Sequence, residues 1–501
     1  MKRIIFSFAA FAFLAIAGCK KDLLDINTNP NSATYSTPQL TMPLALDGAA
    51  RVSQTQFFSL AYWTGYWATS SGFSKPTETY TYNITSSFQS GAWDALYDNI
   101  ADFDYIEKSA VEQNLPVYRA IAMVMKAYDF HQLVDLWGDV PYTEALQGAA
   151  NTAPKYDQGQ AIYEDLVMQI DTAITIFKSP AASASISVST DMSKILLFGN
   201  ILKSNDPSGS STAFLNMWIK FANTLKLQLL INQSQISGRE AYIKGELAGL
   251  SANDFLTLGE DAVVNSGYQA STGKTNPFYG AFYKSPGSAA DNYNSIRASD
   301  YAAKAYTANN DPRVSYYYNK GSQATYLGSV FGDPTGTNNA AAVGTGLLNV
   351  TGNAIIMIAS ESLFLQAEAA QRGYVSGSAK QMFQDAVLAS FQYDNVADAS
   401  TAVEKYLAQS SSDVNWDLAT DKIKLIITQK WFALNGIDIL SSYNDLRRTG
   451  YPNVPLSTDP NSAGKMPVRI LYPQREITTN GASVSAQGSV DPFTTTVFWD
   501  K

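Results

Sequence analysis

The single cysteine of this 501-residue chain, Cys19, limits how the chain can be held together. It follows a basic start at Lys2 and Arg3 and an apolar run over 4–17, which is too short to cross a bilayer as a helix. This pattern predicts an export signal that is removed after translocation. One cysteine cannot form an internal disulfide, so the stability of the folded body must come from packing without covalent cross-links.

The residues directly before Cys19 are small and apolar, Leu-Ala-Ile-Ala-Gly. They resemble the lipobox of bacterial lipoproteins, in which cleavage makes the cysteine the first residue and its sulfur carries a diacylglycerol. The resemblance implies lipidation at Cys19, which leaves no thiol for a metal site or a nucleophile. The alternative is an ordinary cleaved signal with an incidental cysteine. We assign 1–18 to the signal peptide, 19–40 to a lipidated N-terminus and spacer rich in turn-forming residues, and 41–501 to the folded body.

The charge balance excludes several classes of partner. The chain has 44 Asp and Glu against 35 Lys and Arg, a formal net charge of −9, and no long basic run, so nucleic acid is not expected to bind. Behind the signal no apolar run approaches the length of about eighteen residues that a membrane helix requires, so we expect membrane attachment through the lipid anchor only. Neither a phosphate-binding Gly-rich Lys motif nor a dinucleotide fingerprint occurs, and no cofactor is expected.

Hydrophobic periodicity predicts a mainly α fold built from helix pairs. The first pair is an apolar helix at 117–137 and a one-sided helix from Asp157, where Asp157 and Gln160 fit a capping box. Further pairs are predicted at 355–372 with 379–391, and at 423–434 with a continuation to Arg448. Small residues on these helices favour close, tetratricopeptide-like packing. The segments 265–354 and 452–501 predict long ordered loops with a few short strands.

Several strings occur in an order that is typical of one family. They are DINTNPN at 25–31, DLWGDVPY at 135–142, NDPR at 310–313, QAEAAQRG at 366–373, RRTGYP at 447–452 and RILYPQRE at 469–476. Over nearly its whole length the chain resembles the SusD/RagB family of outer-membrane nutrient-binding lipoproteins of Bacteroidetes. It departs from the family pattern at 435–439, where NGIDI stands in place of a Glu-Ala-Trp-like continuation.

This resemblance implies a SusD-like helical nutrient-binding domain at the cell surface, anchored to the outer membrane by its lipid. It also implies a partner, a SusC-like TonB-dependent transporter, for which the lipoprotein acts as a lid and to which it delivers a nutrient oligosaccharide. The alternative cargo is a peptide, as for a RagB-like lipoprotein. In this family most of the motifs above are structural, so they are not carried over as ligand contacts.

Sugars pack on flat apolar faces and bind planar polar groups. The candidate ligand contacts are therefore aromatic and amide side chains whose spacing does not follow a helix. Two segments supply them: Trp67, Phe73, Tyr80 and Tyr82 in the first, and Asn276, Phe278, Tyr279 and Tyr283 in the second. The second cluster continues through 292–294. Alternatively, Trp63 and Trp67, four residues apart, pack one helix into the core. The first segment precedes a Trp-x-x-x-Tyr helix at 93–97, and family ligand contacts often come from this region.

Catalytic interpretations receive little support. His131 lies in an apolar helix and is predicted to be a packed core residue rather than a base. A glycosidase needs two carboxylates, and Glu361 and Glu368 could share a helix face, so a lipid-anchored glycosidase remains the rival hypothesis. The oxygen-rich string at 333–339 lacks the order of an EF-hand and predicts a turn. We therefore expect a binding protein that is not an enzyme and holds no metal.

Overall fold

The computed structural model describes residues 36–188, 190–200 and 207–500. Cys19, the predicted signal peptide and most of the predicted spacer lie outside the described residues. The first described helix, α1, spans Pro38–Thr55 and so includes the predicted boundary between spacer and folded body at residue 41.

The N-terminal half of the described chain consists of helices joined by short strands and turns. After α1 its elements are α2 (Phe58–Trp63), β1 (Trp67–Thr69), α3 (Thr77–Thr81), α4 (Ser90–Glu112), α5 (Pro116–Trp137), β2 (Val140–Pro141), β3 (Tyr156–Asp157), α6 (Gly159–Phe177), α7 (Pro180–Val188), α8 (Pro207–Asn232) and α9 (Glu240–Glu246). Single 3₁₀ turns lie at Gly148–Ala150, Thr190–Lys194, Gln233–Gln235 and Ala252–Asp254.

The C-terminal half begins with short elements and continues as longer helices. Its elements are β4 (Ala262–Val264), α10 (Pro277–Phe282), β5 (Tyr283–Ser285), β6 (Ser288–Ala289), α11 (Asp291–Ser295), β7 (Ile296–Ala298), α12 (Asp300–Ala308), α13 (Val314–Tyr317), β8 (Tyr318–Asn319), β9 (Ala342–Val343), β10 (Ala354–Met357), α14 (Ala359–Gln371), α15 (Ala379–Tyr393), α16 (Ala399–Leu407), α17 (Lys422–Ala433), α18 (Ile439–Thr449), α19 (Gln474–Thr479) and α20 (Gly481–Ser485).

Paired helices form the body, as the periodicity predicted. The most extensive contacts join α4 to α5, α5 to α6, and α14 to α15. Helix α5 is buried on nearly every side because α1, α4, α6 and α8 all contact it. Its apolar circumference removes a large hydrophobic area from water, which is the main source of stability for a helix of this kind. The prediction of a mainly α fold with helix pairs, long loops and short strands is confirmed.

A small antiparallel sheet joins the loop-rich regions to the helices. Its strand order is β1-β7-β9-β8, and Trp67 of β1 lies opposite Ala298 of β7. Further along this pair, Thr69 lies opposite Ile296. The sheet therefore places the segment after β1 beside the segment before β7, although the two segments are far apart in sequence.

The predicted capping box at the start of α6 is wrong. The cap residue is Gln158, whose side chain makes no capping hydrogen bond. Asp157 belongs to β3, and its carboxylate instead accepts hydrogen bonds from the backbone N–H groups of Tyr142 (3.1 Å) and Thr143 (2.8 Å). The N–H of Gly159, the first residue of α6, donates to Asp139 Oδ1 at 2.8 Å. A carboxylate from the preceding turn thus caps the helix, which local spacing could not indicate.

The predicted helix at 355–372 divides into two elements. Residues Ala354–Met357 form β10, which pairs antiparallel with β4, and α14 begins only at Ala359. The sequence of β10, Ala-Ile-Ile-Met, contains two β-branched residues, which favour a strand when a partner strand is present. The neighbouring predictions are closer: α15, α17 and α18 lie where periodicity placed them, and Gly450 ends α18 in the left-handed conformation (φ 75°).

Buried Asp135 explains why the string at 135–142 is structural. Its Oδ1 accepts a hydrogen bond from the hydroxyl of Tyr163 and one from Trp499 Nε1 (2.9 Å), and its Oδ2 accepts one from Asn444 Nδ2 (2.6 Å). The Asp135 carbonyl accepts a further bond from Arg447 at 2.7 Å. One buried carboxylate thus joins α5, α6, α18 and the C-terminal segment, and each of its bonds satisfies a group that would be costly to bury alone.

The string at 469–476 packs against the same turn. Trp137 Nε1 donates to the Leu471 carbonyl at 3.0 Å, the Arg469 guanidinium donates to the Trp137 carbonyl, and the Tyr472 hydroxyl donates to the Asp139 carbonyl at 2.8 Å. The strings at 135–142, 447–452 and 469–476 therefore meet at the end of α5, where they hold the scaffold together.

A second buried acid, Asp129 on α5, makes stability depend on pH. Burial raises its pKa from 3.8 to about 8, against the opposing effect of a hydrogen bond from Asn99 Nδ2 (2.7 Å). The folded state therefore keeps a proton that the unfolded state releases above pH 4. The protonated Asp129 therefore contributes fully to the free energy of unfolding below about pH 4. This contribution, on the order of 2–5 kcal/mol, is lost as the pH rises towards 8.

We expect Asp129→Asn to reduce this pH dependence, because an amide does not titrate. The measurement is the free energy of unfolding in urea at pH 5 and pH 8 for both proteins. Wild type should lose more stability across this interval than the variant. Part of the dependence should remain, since burial and the nearby Asp438 also raise the pKa of Glu361 to about 8, against the opposing effect of Lys430. An equal loss of unfolding free energy between pH 5 and pH 8 in the two proteins would contradict the raised pKa of Asp129.

Candidate ligand-binding surfaces

Trp67, predicted as a ligand contact, lies in the core. Helix α2 ends at Trp63, so the two tryptophans do not share a helix, and Trp67 occupies β1. The Trp67 ring is fully buried and meets Phe58 (centroids 5.2 Å apart), Phe278 (6.4 Å) and Phe282 (6.0 Å). The structure gives Trp67 a packing role, and its ring has no face available to a ligand.

Tyr80 and Tyr82 are also buried, and they hold neighbouring loops in place. The Tyr80 hydroxyl accepts a hydrogen bond from the Thr69 N–H (2.8 Å), and the Tyr82 hydroxyl accepts one from the Ser457 N–H (3.1 Å). Both rings meet Phe331 edge-on, with centroids 5.0 and 6.0 Å apart. Burial raises the pKa of Tyr82 to about 12. The prediction of direct ligand contact at these two residues is therefore replaced by a supporting role.

Phe73 differs from the other three residues predicted in its segment, because 39% of its surface is exposed. It lies in the loop between β1 and α3. Lys75 Nζ donates to the Ser70 carbonyl at 2.7 Å, and Ser71 Oγ donates to the Asn338 side chain, so both sides of the loop are fixed. The loop thus presents one aromatic ring to solvent from an ordered backbone.

Asn276 and Phe278, in the second predicted segment, are structural. Asn276 caps α10: its side-chain oxygen accepts from the Tyr279 N–H (3.1 Å), and its Nδ2 donates to the carbonyls of Gly352 and Asn353, both at 3.1 Å. Phe278 is 2% exposed. An Asn-Pro pair at a cap and first helical position is itself a helix-start signal, so this role was available from the sequence.

Three tyrosines form a stacked surface, which we call the tyrosine ledge: Tyr279, Tyr283 and Tyr293. The rings of Tyr279 and Tyr283 are nearly parallel, with centroids 4.5 Å apart and planes 7° apart. The Tyr293 ring follows at 4.9 Å from Tyr283, tilted by 44°. Tyr283 and Tyr293 are half-buried, whereas Tyr279 is 8% exposed and stacks against Tyr283. The sequence pointed to 292–294 as part of this cluster, and the structure adds Tyr293 to the ledge.

The β1–β7 pairing brings the ledge towards the Phe73 loop. The Ser70 N–H donates to the Ser295 carbonyl at 2.7 Å, which extends the register of the pair beyond the strands. Phe73 follows Ser70 by three residues and Tyr293 precedes Ser295 by two, so this hydrogen bond joins the two predicted aromatic segments, which are far apart in sequence.

A separate apolar cleft of about 570 Å³ lies between α12, α17 and the loop at 452–458. Rings and aliphatic groups form most of its walls, and its polar lining includes Lys304, Asn309 and Asp413. Gly332 (φ 91°) lets the loop approach, because a Cβ there would overlap the backbone nitrogen of Thr458. The cleft was not predicted, since its walls come from segments that show no common pattern.

Comparison with known proteins adds the family. The family model of SusD-like proteins described as "Starch-binding associating with outer membrane" matches residues 30–473. The chain belongs to the SusD-like family. A search of curated protein sequences gave no match.

Solved SusD-like structures share the fold. A chitin-binding SusD homologue from Flavobacterium johnsoniae is 22% identical, with a TM-score of 0.74 and coverage of 93% of this chain and 98% of the other. A SusD-like protein from Bacteroides thetaiotaomicron is 22% identical, with a TM-score of 0.73 and coverage of 92% and 98%. A SusD homologue from Bacteroides uniformis is 21% identical, with a TM-score of 0.70 and coverage of 92% and 99%. The predicted family and fold are confirmed.

The residues considered for catalysis in this SusD-like chain lie inside the protein. His131 is 3% exposed and packs edge-on to Tyr128, with centroids 5.6 Å apart. Glu361 and Glu368 are fully buried and face Lys430 (3.6 Å) and Arg448 (2.5 Å) respectively. Neither carboxylate lines the ledge or the cleft, so the pair is not arranged to flank a glycosidic bond in either place.

The remaining sequence candidates are explained by local structure. Asp333 Oδ1 accepts hydrogen bonds from the Thr335 N–H (2.8 Å) and hydroxyl (2.7 Å), which closes the predicted turn. Within 36–188, 190–200 and 207–500, no group of three His, Cys, Asp or Glu side chains is placed to hold a metal ion. No helix in the described part of the chain combines the length and hydropathy that a membrane span requires.

Proposed function

We propose that this SusD-like protein binds a nutrient oligosaccharide at the tyrosine ledge and delivers it to a SusC-like TonB-dependent transporter, without chemical change to the cargo. The tyrosine ledge is the observation that supports this proposal most directly. It is an aromatic surface on an ordered scaffold, and the Ser70–Ser295 hydrogen bond joins its segment to the one that holds the exposed ring of Phe73. The family description and the chitin-binding relative support a saccharide rather than a peptide as cargo.

The chemistry of the ledge suits carbohydrate. A pyranose covers an aromatic face with its C–H groups and keeps its hydroxyls at the rim. Burial raises the pKa of Tyr283, as does a hydrogen bond with Tyr293, so the Tyr283 hydroxyl stays protonated and is a hydrogen-bond donor. Amide groups at Asn292 and Asn294 lie beside the outer ring in sequence.

The contacts favour weak capture. Each stacked ring contributes about 0.5–1.5 kcal/mol beyond area burial, so two or three rings with several hydrogen bonds give a Kd in the micromolar to millimolar range. Such a Kd permits rapid release into a transporter. Titration of the protein with chito-oligosaccharides, malto-oligosaccharides and a peptide panel tests the cargo class. Binding of peptides alone would favour the RagB-like alternative, and release of new reducing ends would favour the glycosidase.

We expect Cys19→Ser to separate binding from delivery. The lipid on Cys19 keeps the body near the transporter, and serine cannot be lipidated through sulfur. The purified variant body should bind oligosaccharide with wild-type Kd, while uptake of that oligosaccharide by cells should fall by an order of magnitude or more. The measurement pairs calorimetric titration with an uptake assay in cells that express equal amounts of each protein. Wild-type uptake by the variant would contradict the role of the anchor.

A further inference from the structure

A cavity of about 420 Å³ lies beside the ledge, between α1 and the segment that runs from the start of α10 into β5. Tyr283 belongs to both the ledge and the cavity lining, and Arg51, Thr55 and Lys284 line the cavity with it. Resting on the proposed function, we propose that this cavity binds the anionic group of an acidic saccharide, a uronate carboxylate or a sulfate ester, while the sugar ring packs on the ledge.

The proposal depends on the charge of the side chains that line the cavity. Its two ionisable cations are Arg51 and Lys284, and no carboxylate is among the lining side chains. This is unusual in a chain with 44 acidic and 35 basic residues. An acidic ligand is attracted to a local positive site on an otherwise negative surface, whereas a neutral saccharide gains nothing from it.

Both cations retain donors for a ligand. Lys284 is exposed and forms no ion pair within the described part of the chain. Arg51 pairs with Asp47 through one nitrogen (3.2 Å) and is 55% exposed. Asp47 is further occupied on its other oxygen by the hydroxyls of Tyr268 (2.6 Å) and Ser266 (2.9 Å). The guanidinium therefore keeps free N–H groups in a fork that suits carboxylate and sulfate.

The strand geometry explains how Tyr283 and Lys284 line one cavity. Successive side chains of a regular strand point to opposite faces. The register of β5 with β6 shifts between Tyr283 and Ser285, which places Lys284 at an irregularity of the strand. A bulge of this kind redirects a side chain, and here it sets a cation next to the aromatic ring.

The test compares trigalacturonate and a sulfated chondroitin hexasaccharide with maltotriose and chitotriose, each titrated into the full-length protein. The variants are Arg51→Gln/Lys284→Gln and a control, Lys304→Gln, which removes an exposed lysine at the apolar cleft. We expect at least one anionic saccharide to bind about tenfold more tightly than the neutral ones. The double variant should weaken that binding about three- to tenfold, and the control should leave it unchanged. Added salt should reduce the preference.

Distinct outcomes separate this inference from the proposed function. Neutral binding without an anionic preference, or a preference that survives the double variant, would overturn the inference alone. Weaker binding of the anionic saccharide to Lys304→Gln would place the anionic site at the cleft and would also overturn the inference. Binding of no saccharide would overturn both. Trigalacturonate carries carboxylates alone, so its binding would show that the cavity accepts a uronate.

Discussion

Replacing Glu368 with glutamine is expected to lower the free energy of unfolding by about 3–5 kcal/mol at pH 7. Glu368 lies on α14 and joins Arg448 of α18 through two hydrogen bonds, Nη1–Oε1 at 2.5 Å and Nη2–Oε2 at 2.8 Å. Arg372 contacts the same carboxylate at 2.8 Å. All three side chains are largely removed from water, so the substitution leaves the two arginines facing a neutral amide, although Asp445 still pairs with Arg448 at 2.7 Å.

The same pair should also be sensitive to acid. Burial alone would raise the pKa of Glu368, but the charges of Arg448 and Arg372 outweigh it and lower the pKa from 4.5 to about 2. A depressed folded pKa means that the contribution is complete above pH 4.5 and is lost as the pH falls towards 2. Wild type should therefore lose stability over this interval, and Glu368→Gln should lose less.

The matched control is Asp417→Asn, which breaks an exposed ion pair with Lys380 (2.8 Å). Exposed pairs contribute little, so its cost should be below about 1 kcal/mol. Urea unfolding of the three proteins at pH 7 and pH 3 provides the comparison. A cost for Glu368→Gln no larger than that of the control would show that the buried pair does not hold α14 to α18.

Tyr283→Ala is expected to weaken oligosaccharide binding about tenfold or more. Tyr283 is the central ring of the ledge and contacts both Tyr279 and Tyr293, so its removal takes one ring from the ledge and the support from Tyr293. The loss of one ring corresponds to about 0.5–1.5 kcal/mol, and the displaced neighbour adds a similar amount. The Kd from calorimetric titration is the measurement.

Tyr105→Ala is the control for this substitution. Tyr105 is also an exposed tyrosine (39%), but it lies on α4 and its hydroxyl donates to the Ser36 carbonyl. Its removal should leave the Kd unchanged. If both variants bind like wild type while remaining folded, the ligand does not use the ledge.

The scaffold could be predicted largely from the sequence because its helices carry their own pattern. The stripe on α6 and the all-round apolar surface of α5 define buried faces that any packing must satisfy. The predictions failed where a residue distant in sequence determines the local structure. Residues 354–357 become a strand only because β4 pairs with them, and α6 is capped by Asp139 from the preceding turn.

The site was harder to predict, since residue type does not reveal exposure. Tyr80 and Phe73 occur in one aromatic segment, yet Phe331 from another part of the chain covers Tyr80 and leaves Phe73 in solvent. The second segment behaved similarly: Phe278 lies in the core, and Tyr283 lies at the surface. Local composition indicated two aromatic segments, whereas long-range packing determines which of their rings are exposed.

A crystal structure of the protein with a bound oligosaccharide tests the central claim most directly. The crystals would be soaked with the saccharide that binds most tightly in titration. The account predicts a sugar ring packed against the tyrosine ledge, within van der Waals contact of Tyr283 or Tyr293 and on the side of the Phe73 loop. A saccharide bound instead in the cleft between α12 and α17, with the ledge free, would contradict it.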